Sequence, residues 1–181
     1  MKIRQTNALH HGRCSVSGSR YFITICAHVT ELTLLNDSIA TLIRHAWISI
    51  HATGDATIAC ATIMPNHVHM LLTLGDRLSL GRVMAKFKTL TREALRQCAC
   101  SWQRDYFERR LRVPDPMNPF ARYIFMNPYR AGLLDRAQEW PYWFKGGEPD
   151  FAFLEGLKDG RFPPDVWFDE PEWDEPPIPG I

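Results

Sequence analysis

The chain has 181 residues, 45% of them apolar and 23% charged, the balance of a soluble globule of about one domain with a core that needs no disulfide or metal staples. The longest nearly apolar stretch, residues 56–64, is far short of the roughly 20 residues a membrane span needs, and no apolar run follows Lys2 and Arg4 as a secretory signal would require; a cytoplasmic protein without a membrane partner is expected. The net charge of +1 joins two unlike parts: residues 1–147 carry 19 Lys+Arg against 10 Asp+Glu, and residues 148–181 carry 2 against 10. A basic body with an acidic tail is the pattern of a body that meets a polyanion.

Residues 20–28 (RYFITICAH) are β-branched and aromatic and predict a strand. Asn36-Asp37 can cap a helix whose buried stripe is Ile39, Leu42, Ile43, Ala46, Trp47 and Ile50. Gly54-Asp55 turns the chain into a second strand over 57–64, and Pro65-Asn66 makes a tight corner into a third over 67–74, in register for a hairpin. Ser79 caps a long helix to about Gln97, with Leu80, Val83, Phe87, Leu90 and Ala94 inward. Residues 102–112 read as one long basic strand. Asn118-Pro119 predicts an N-cap with proline at the first helical position, and Pro128 should stop that helix near Asn127. Strand, helix, strand, strand, helix, strand, helix describes an α+β fold, an antiparallel sheet with helices packed on it. Residues 1–147 form the body. Residues 148–181 form an acidic tail, rich in proline and aromatics, whose Phe151, Phe153, Phe162, Trp167, Phe168 and Trp173 predict wrapping against the body rather than disorder. The cysteines at 14, 26, 60, 98 and 100 form an odd set with no CxxC pair. They predict reduced thiols rather than a disulfide framework or a four-cysteine zinc site. His10-His11 reads as a solvated tail.

His67 and His69 lie two apart on the third predicted strand, so they share one face while Val68, Met70, Leu72 and Leu74 share the other. Two neutral imidazoles converging from a rigid strand can hold a divalent cation. On an HxH spacing alone, solvated or core histidines are the commoner outcome.

The string Met64-Pro65-Asn66-His67-Val68-His69-Met70-Leu71-Leu72 closely resembles the HUH motif of the single-tyrosine transposases, and most nearly that of the REP-associated tyrosine transposases. In the same order, the opening strand RYFIT, Lys86-Phe87-Lys88, Trp102-Gln103, Tyr123-Ile124, Asn127-Pro128 and Arg130-Ala131-Gly132-Leu133 resemble the same family, over about residues 15–145. The resemblance implies a ferredoxin-like sheet (the HUH endonuclease fold), a divalent metal, and cleavage and joining of single-stranded DNA near hairpins through a tyrosine. The covalent link it implies is a 5′-phosphotyrosine beside a free 3′-hydroxyl. Family members occur as monomers and as homodimers that share active sites.

Of the five tyrosines, the resemblance selects Tyr123. Tyr123 and Asn127 are also i and i+4 of one predicted helix, hence on one face, so Asn127 could offer its amide oxygen as a third ligand beside His67 and His69. Core packing of Tyr123 and plain capping by Asn127 remain open on spacing alone. Magnesium prefers oxygen ligands. A set of two histidines and an asparagine is nitrogen-rich for it and suits manganese better; the divalent metal that the resemblance implies is expected to be magnesium or manganese. Residues 77–112 carry ten Lys+Arg against three acids. Arg82, Lys86, Lys88, Arg92, Arg104, Arg109, Arg110 and Arg112 are candidate phosphate contacts, with Trp102, Tyr106 and Phe107 able to stack on unpaired bases. Family members often carry a histidine where this chain has Glu108-Arg109-Arg110. Two rival readings stand beside the transposase: a binding module that has lost turnover, and a metal-dependent phosphodiesterase that uses water.

Overall fold

The computed structural model describes residues 15–29, 34–112, 115–147 and 149–170. The expectations for His10-His11, Cys14 and Trp173 lie outside these residues. Strand β1 spans Arg20–His28, helix α1 Asp37–Ala52, β2 Ala56–Ile63, β3 His67–Leu74 and helix α2 Leu80–Gln97. Short strands β4 (Ser101–Trp102) and β5 (Phe107–Arg110) follow, then helix α3 (Met117–Arg130), β6 (Trp143–Lys145) and a one-turn helix α4 (Val166–Asp169). Every pairing is antiparallel, in the order β4-β1-β3-β2-β6, with β5 also on β1. The βαββαβ order is that of a ferredoxin-like sheet, widened by β6 at one edge.

The sheet is buried on both faces because its strands supply two apolar sets. Ile23, Ile25, Val68, Met70 and Leu72 point to α1 and α2 and form one core with Ile43, Trp47, Val83 and Phe87. Phe22, Cys60 and Leu71 point the other way and pack with Phe120, Ala121, Ile124 and Phe125 of α3. A bulge between Ile58 and Cys60 inserts one residue into β2 and lets Cys60 and Thr62 face α3. At the end of β6, Gly146 passes so close that a Cβ there would meet Ile58 O at 2.0 Å.

The helix caps fall where the sequence puts them: the Asn36 side chain accepts from Ser38 N and Ile39 N, and Ser79 Oγ accepts from Arg82 N. Four expectations are corrected. Leu42 and Leu90 are exposed, because Ala40 on α1 and Met84, Thr91 and Leu95 on α2 complete the buried stripes instead. The long strand over 102–112 is broken: Trp102 pairs with Ala27 and Phe107 with Thr24, so four residues, 103–106, bulge out opposite two. Helix α3 begins at Met117, with Pro119 in its first turn, where helical N–H groups have no intrahelical partner anyway. Asn118 is therefore not the cap, and its Oδ1 accepts from Phe153 N instead. Helix α3 also runs through Pro128 to Arg130, because the last turn is closed by Ala131 N on Asn127 O and Leu133 N on Pro128 O.

The described part of the tail adds a 3-10 turn, Ala152–Gly156, and α4. It buries Phe151, Phe153 and Trp167 in the α3 core. Among the described residues no helix is long and apolar enough to cross a membrane.

Candidate functional site

Strand alternation brings His67 and His69 to the α3 face of the sheet. They are not the solvated pair an edge position would give: α3 covers that face, and they are 4% and 0% exposed. The rings meet edge to face, 4.6 Å between centroids, with their Nε2 atoms 3.0 Å apart. Behind them, His67 Nδ1 bonds Asn66 Oδ1 at 2.7 Å and His69 Nδ1 meets Thr24 Oγ1 at 2.8 Å. Phe22 stacks on His69 at 5.5 Å. Burial pushes His67 down to about 4, and burial together with the neighbouring His67 holds His69 well below the ordinary histidine range. Both rings are thus neutral at pH 7, the form that ligates metals.

Helix α3 sets Tyr123 against this pair, its ring 5.6 Å from that of His69 and T-shaped to it. One turn on, Asn127 Nδ2 donates to the Tyr123 hydroxyl at 2.9 Å. The other tyrosines are turned elsewhere: Tyr21 Oη accepts from Val16 N, Tyr129 Oη donates to Gln138 O, Tyr142 bonds Leu35 O and Asp37, and Tyr106 lies under Lys88. His67, His69, Tyr123 and Asn127 are therefore one cluster.

The donors suit a divalent cation. Two neutral imidazoles present Nε2 atoms 3.0 Å apart, the spacing of two adjacent positions around an ion with bonds of about 2.1 Å. Each ring is held from behind, as ligating histidines are. With Nδ2 on the tyrosine, the Asn127 amide still has its oxygen to offer. Among the described residues no group of three or more His, Cys, Asp or Glu could hold a metal ion.

The basic residues divide. Helix α2 packs on the sheet face opposite the histidines. Its Arg82 and Arg92 are exposed, but Lys86 pairs with the buried Asp55 at 2.6 Å, whose carboxyl is held below its usual range by bonds from Lys86 and Thr53. Lys88 Nζ donates to the carbonyls of Gln103, Arg104 and Asp105. Arg104 is exposed on the bulge that Lys88 holds. On β5, register pairs Arg109 with Phe22 on the histidine face, its guanidinium 5.1 Å from the Phe120 ring, while Arg110 pairs with Tyr21 on the α2 face. Arg112 is exposed beyond β5. Thr24, Asn66 and Phe22 are site residues that the sequence did not single out. Their signals were the strand string RYFIT and the adjacency of Asn66 to His67.

A ferredoxin-like sheet carrying a histidine pair beside a helix-borne tyrosine is the frame of a nucleic-acid-processing enzyme. The family described as "Transposase IS200 like" matches residues 15–113, more than half of the chain, and the chain belongs to this family of transposase enzymes. A REP-associated tyrosine transposase of Escherichia coli (strain K12) is 23% identical over 134 residues, covering 72% of this chain and 78% of that protein. A putative REP-associated tyrosine transposase of Haemophilus influenzae is 26% identical over 149 residues, covering 74% and 83%. The solved structure of a REP-associated tyrosine transposase bound to a REP hairpin superposes with a TM-score of 0.60 at 20% identity, over 84% of this chain and 95% of that one, which shows the shared fold. The family match ends before α3, so Tyr123 and Asn127 lie beyond it.

Proposed function

We propose that this transposase cleaves and rejoins single-stranded DNA beside a hairpin through a covalent tyrosine link. The observation that carries the reading is the convergence of the two histidine Nε2 atoms beside the Tyr123–Asn127 pair. His67, His69 and Asn127 would hold one magnesium or manganese ion. When bound, that ion neutralises phosphate charge and orients the phosphodiester. Tyr123 Oη attacks the phosphorus, the bond to the 3′ oxygen breaks, and that oxygen leaves as a 3′-hydroxyl after taking a proton. The tyrosine keeps a 5′-phosphodiester, so a 3′-hydroxyl can reverse the step without ATP. The Asn127 N–H aimed at Oη stabilises the charge that develops there as the phenol loses its proton. Phe22 and His69 fix the ring, which limits the orientational freedom that attack would otherwise lose. Arg109, on the same face, is the basic residue best set to meet the strand. Arg82, Arg92, Arg104, Arg110 and Arg112 offer longer-range attraction. The DNA hairpin as substrate is supported by the similarity to the hairpin-bound relative.

The test is incubation with hairpin-flanked single-stranded DNA and manganese, followed by denaturing electrophoresis and mapping of any DNA-linked peptide. The expected adduct is on Tyr123 and is absent in Tyr123→Phe. An adduct on Tyr106 or Tyr129 overturns the assignment. Cleavage without any adduct establishes the water-using phosphodiesterase instead, and hairpin binding without cleavage in manganese establishes the inactive module.

A further inference from the structure

Phe22 of β1 has three neighbours drawn from two other elements. Register sets Arg109 of β5 beside it on the histidine face. Its ring lies 6.0 Å from that of Phe120 and 5.8 Å from that of Tyr123, both on α3. Phe120 and Tyr123 are i and i+3, so they share a helix face and differ by about 4.5 Å along its axis. Arg109 closes the set. Its guanidinium carbon is 5.1 Å from the centre of the Phe120 ring, so the side chain spans from β5 to the first turn of α3, one helical turn before the tyrosine.

Exposure divides this pair. Phe120 is 3% exposed, and a base could not lie on it. Arg109 is exposed, so the surface offered at this point is a guanidinium seated on an aromatic ring. A guanidinium is planar and stacks on π faces, whereas an ammonium is a point charge with no plane to offer. Its seat on Phe120 restricts the arginine before any ligand arrives, so less freedom is lost when a second flat group is laid on it. The flat groups of a nucleic acid are its bases. In a duplex they are already paired and stacked, and only an unpaired base is available to an arginine plane.

We propose that the Arg109 guanidinium, backed by Phe120, is a platform on which an unpaired base beside the scissile phosphate stacks, and that this contact lets the site select single-stranded over duplex DNA. At about 3.4 Å per stacked nucleotide, one helical turn from Tyr123 is about one or two nucleotides from the phosphate it attacks. The inference rests on the reading of the chain as an enzyme of single-stranded DNA, and it adds the residue that recognises the base. The competing role is a phosphate contact, which needs the charge of Arg109 but not its plane.

The test separates plane from charge. The full chain is titrated, in EDTA so that no strand is cut, into a DNA hairpin with single-stranded flanks that carry 2-aminopurine at one position at a time. Wild type should quench the fluorescence at one flank position, within about two nucleotides of the phosphate found on Tyr123 in manganese. Arg109→Lys should abolish that quenching while melting at nearly the wild-type temperature, since the residue is exposed. An abasic nucleotide at the quenched position should weaken wild-type binding about 10-fold and leave binding by Arg109→Lys almost unchanged. Equal quenching in the two proteins overturns the platform in favour of the phosphate contact. So does wild-type binding that is indifferent to an abasic nucleotide at every position, an arm that uses unaltered protein and stands whether or not the variant folds. Wild type that binds single-stranded flanks no better than duplex ones removes the reading of a single-strand enzyme, and the platform with it. The two failures are distinguishable, because the first leaves the preference for single strands in place.

Discussion

At His69 the ring is wholly buried, in contact with Phe22, Tyr123 and His67. Replacing it by alanine leaves a cavity and an unpaired Thr24 hydroxyl, and should lower metal-free stability by about 2–4 kcal/mol. His67 begins its strand and is slightly less enclosed, so His67→Ala should lose about 1–2 kcal/mol. Urea unfolding of the two variants checks the order; losses below 0.5 kcal/mol in both would contradict the packing. The strand alternation that paired the histidines was legible in the sequence, and so was the i, i+4 relation of Tyr123 and Asn127. Their burial was not, because it depends on α3 folding over that face from some 50 residues away. Thr24 was equally hidden, since its place behind His69 is set by the β1–β3 register, which pairs residues 45 apart.

Among the elements, those with strong periodicity and a good cap were readable: β1 and β3 have the bounds expected from their residues, and Asn36 and Ser79 start their helices. The break between β4 and β5 had no local signal because a distant side chain holds it. Lys88, inside α2, gathers the carbonyls of Gln103, Arg104 and Asp105, and that ammonium ties the four residues that lie opposite two of β1 to the helix. A lysine expected to meet phosphate is thereby a clip between α2 and the edge of the sheet. Lys88→Met should lower stability by about 1–3 kcal/mol and raise amide exchange across residues 101–110. Arg92→Met, at an exposed site on the same helix, should stay within about 0.5 kcal/mol of wild type. Equal stability and exchange in both variants would return Lys88 to the solvated face.

Over the whole molecule, the sheet separates two cores, and the candidate chemistry sits on the face closed by α3 and the C-terminal segment. That segment is attached at several points. Phe153 N reaches the Asn118 side chain, the Arg122 guanidinium lies 4.2 Å from the Trp167 ring and pairs with Glu170 at 2.6 Å, and Arg136 lies 4.0 Å from the Phe168 ring. Three of these grips, the one on Asn118 and the two on Arg122, bear on α3, whose Tyr123 packs against His69. The aromatic residues of the tail predicted that it would wrap against the body, and Phe151, Phe153 and Trp167 do pack there, but which face they take is decided by the apolar side of α3, which residue types in the tail do not reveal. Trp167→Ala should therefore act on the site from behind. Losing that ring removes its edge-on contact with Phe153 and its contact with the Arg122 guanidinium and should lower stability by about 3–4 kcal/mol, a fall in Tm of about 10 °C. Well below the new Tm the variant should stay folded while exchange rises along α3 and covalent-adduct formation slows, since small displacements of a nucleophile reduce rate steeply. An unchanged exchange profile along residues 117–130, with the Tm lowered as expected, would show that the C-terminal segment stabilises the fold without positioning the helix.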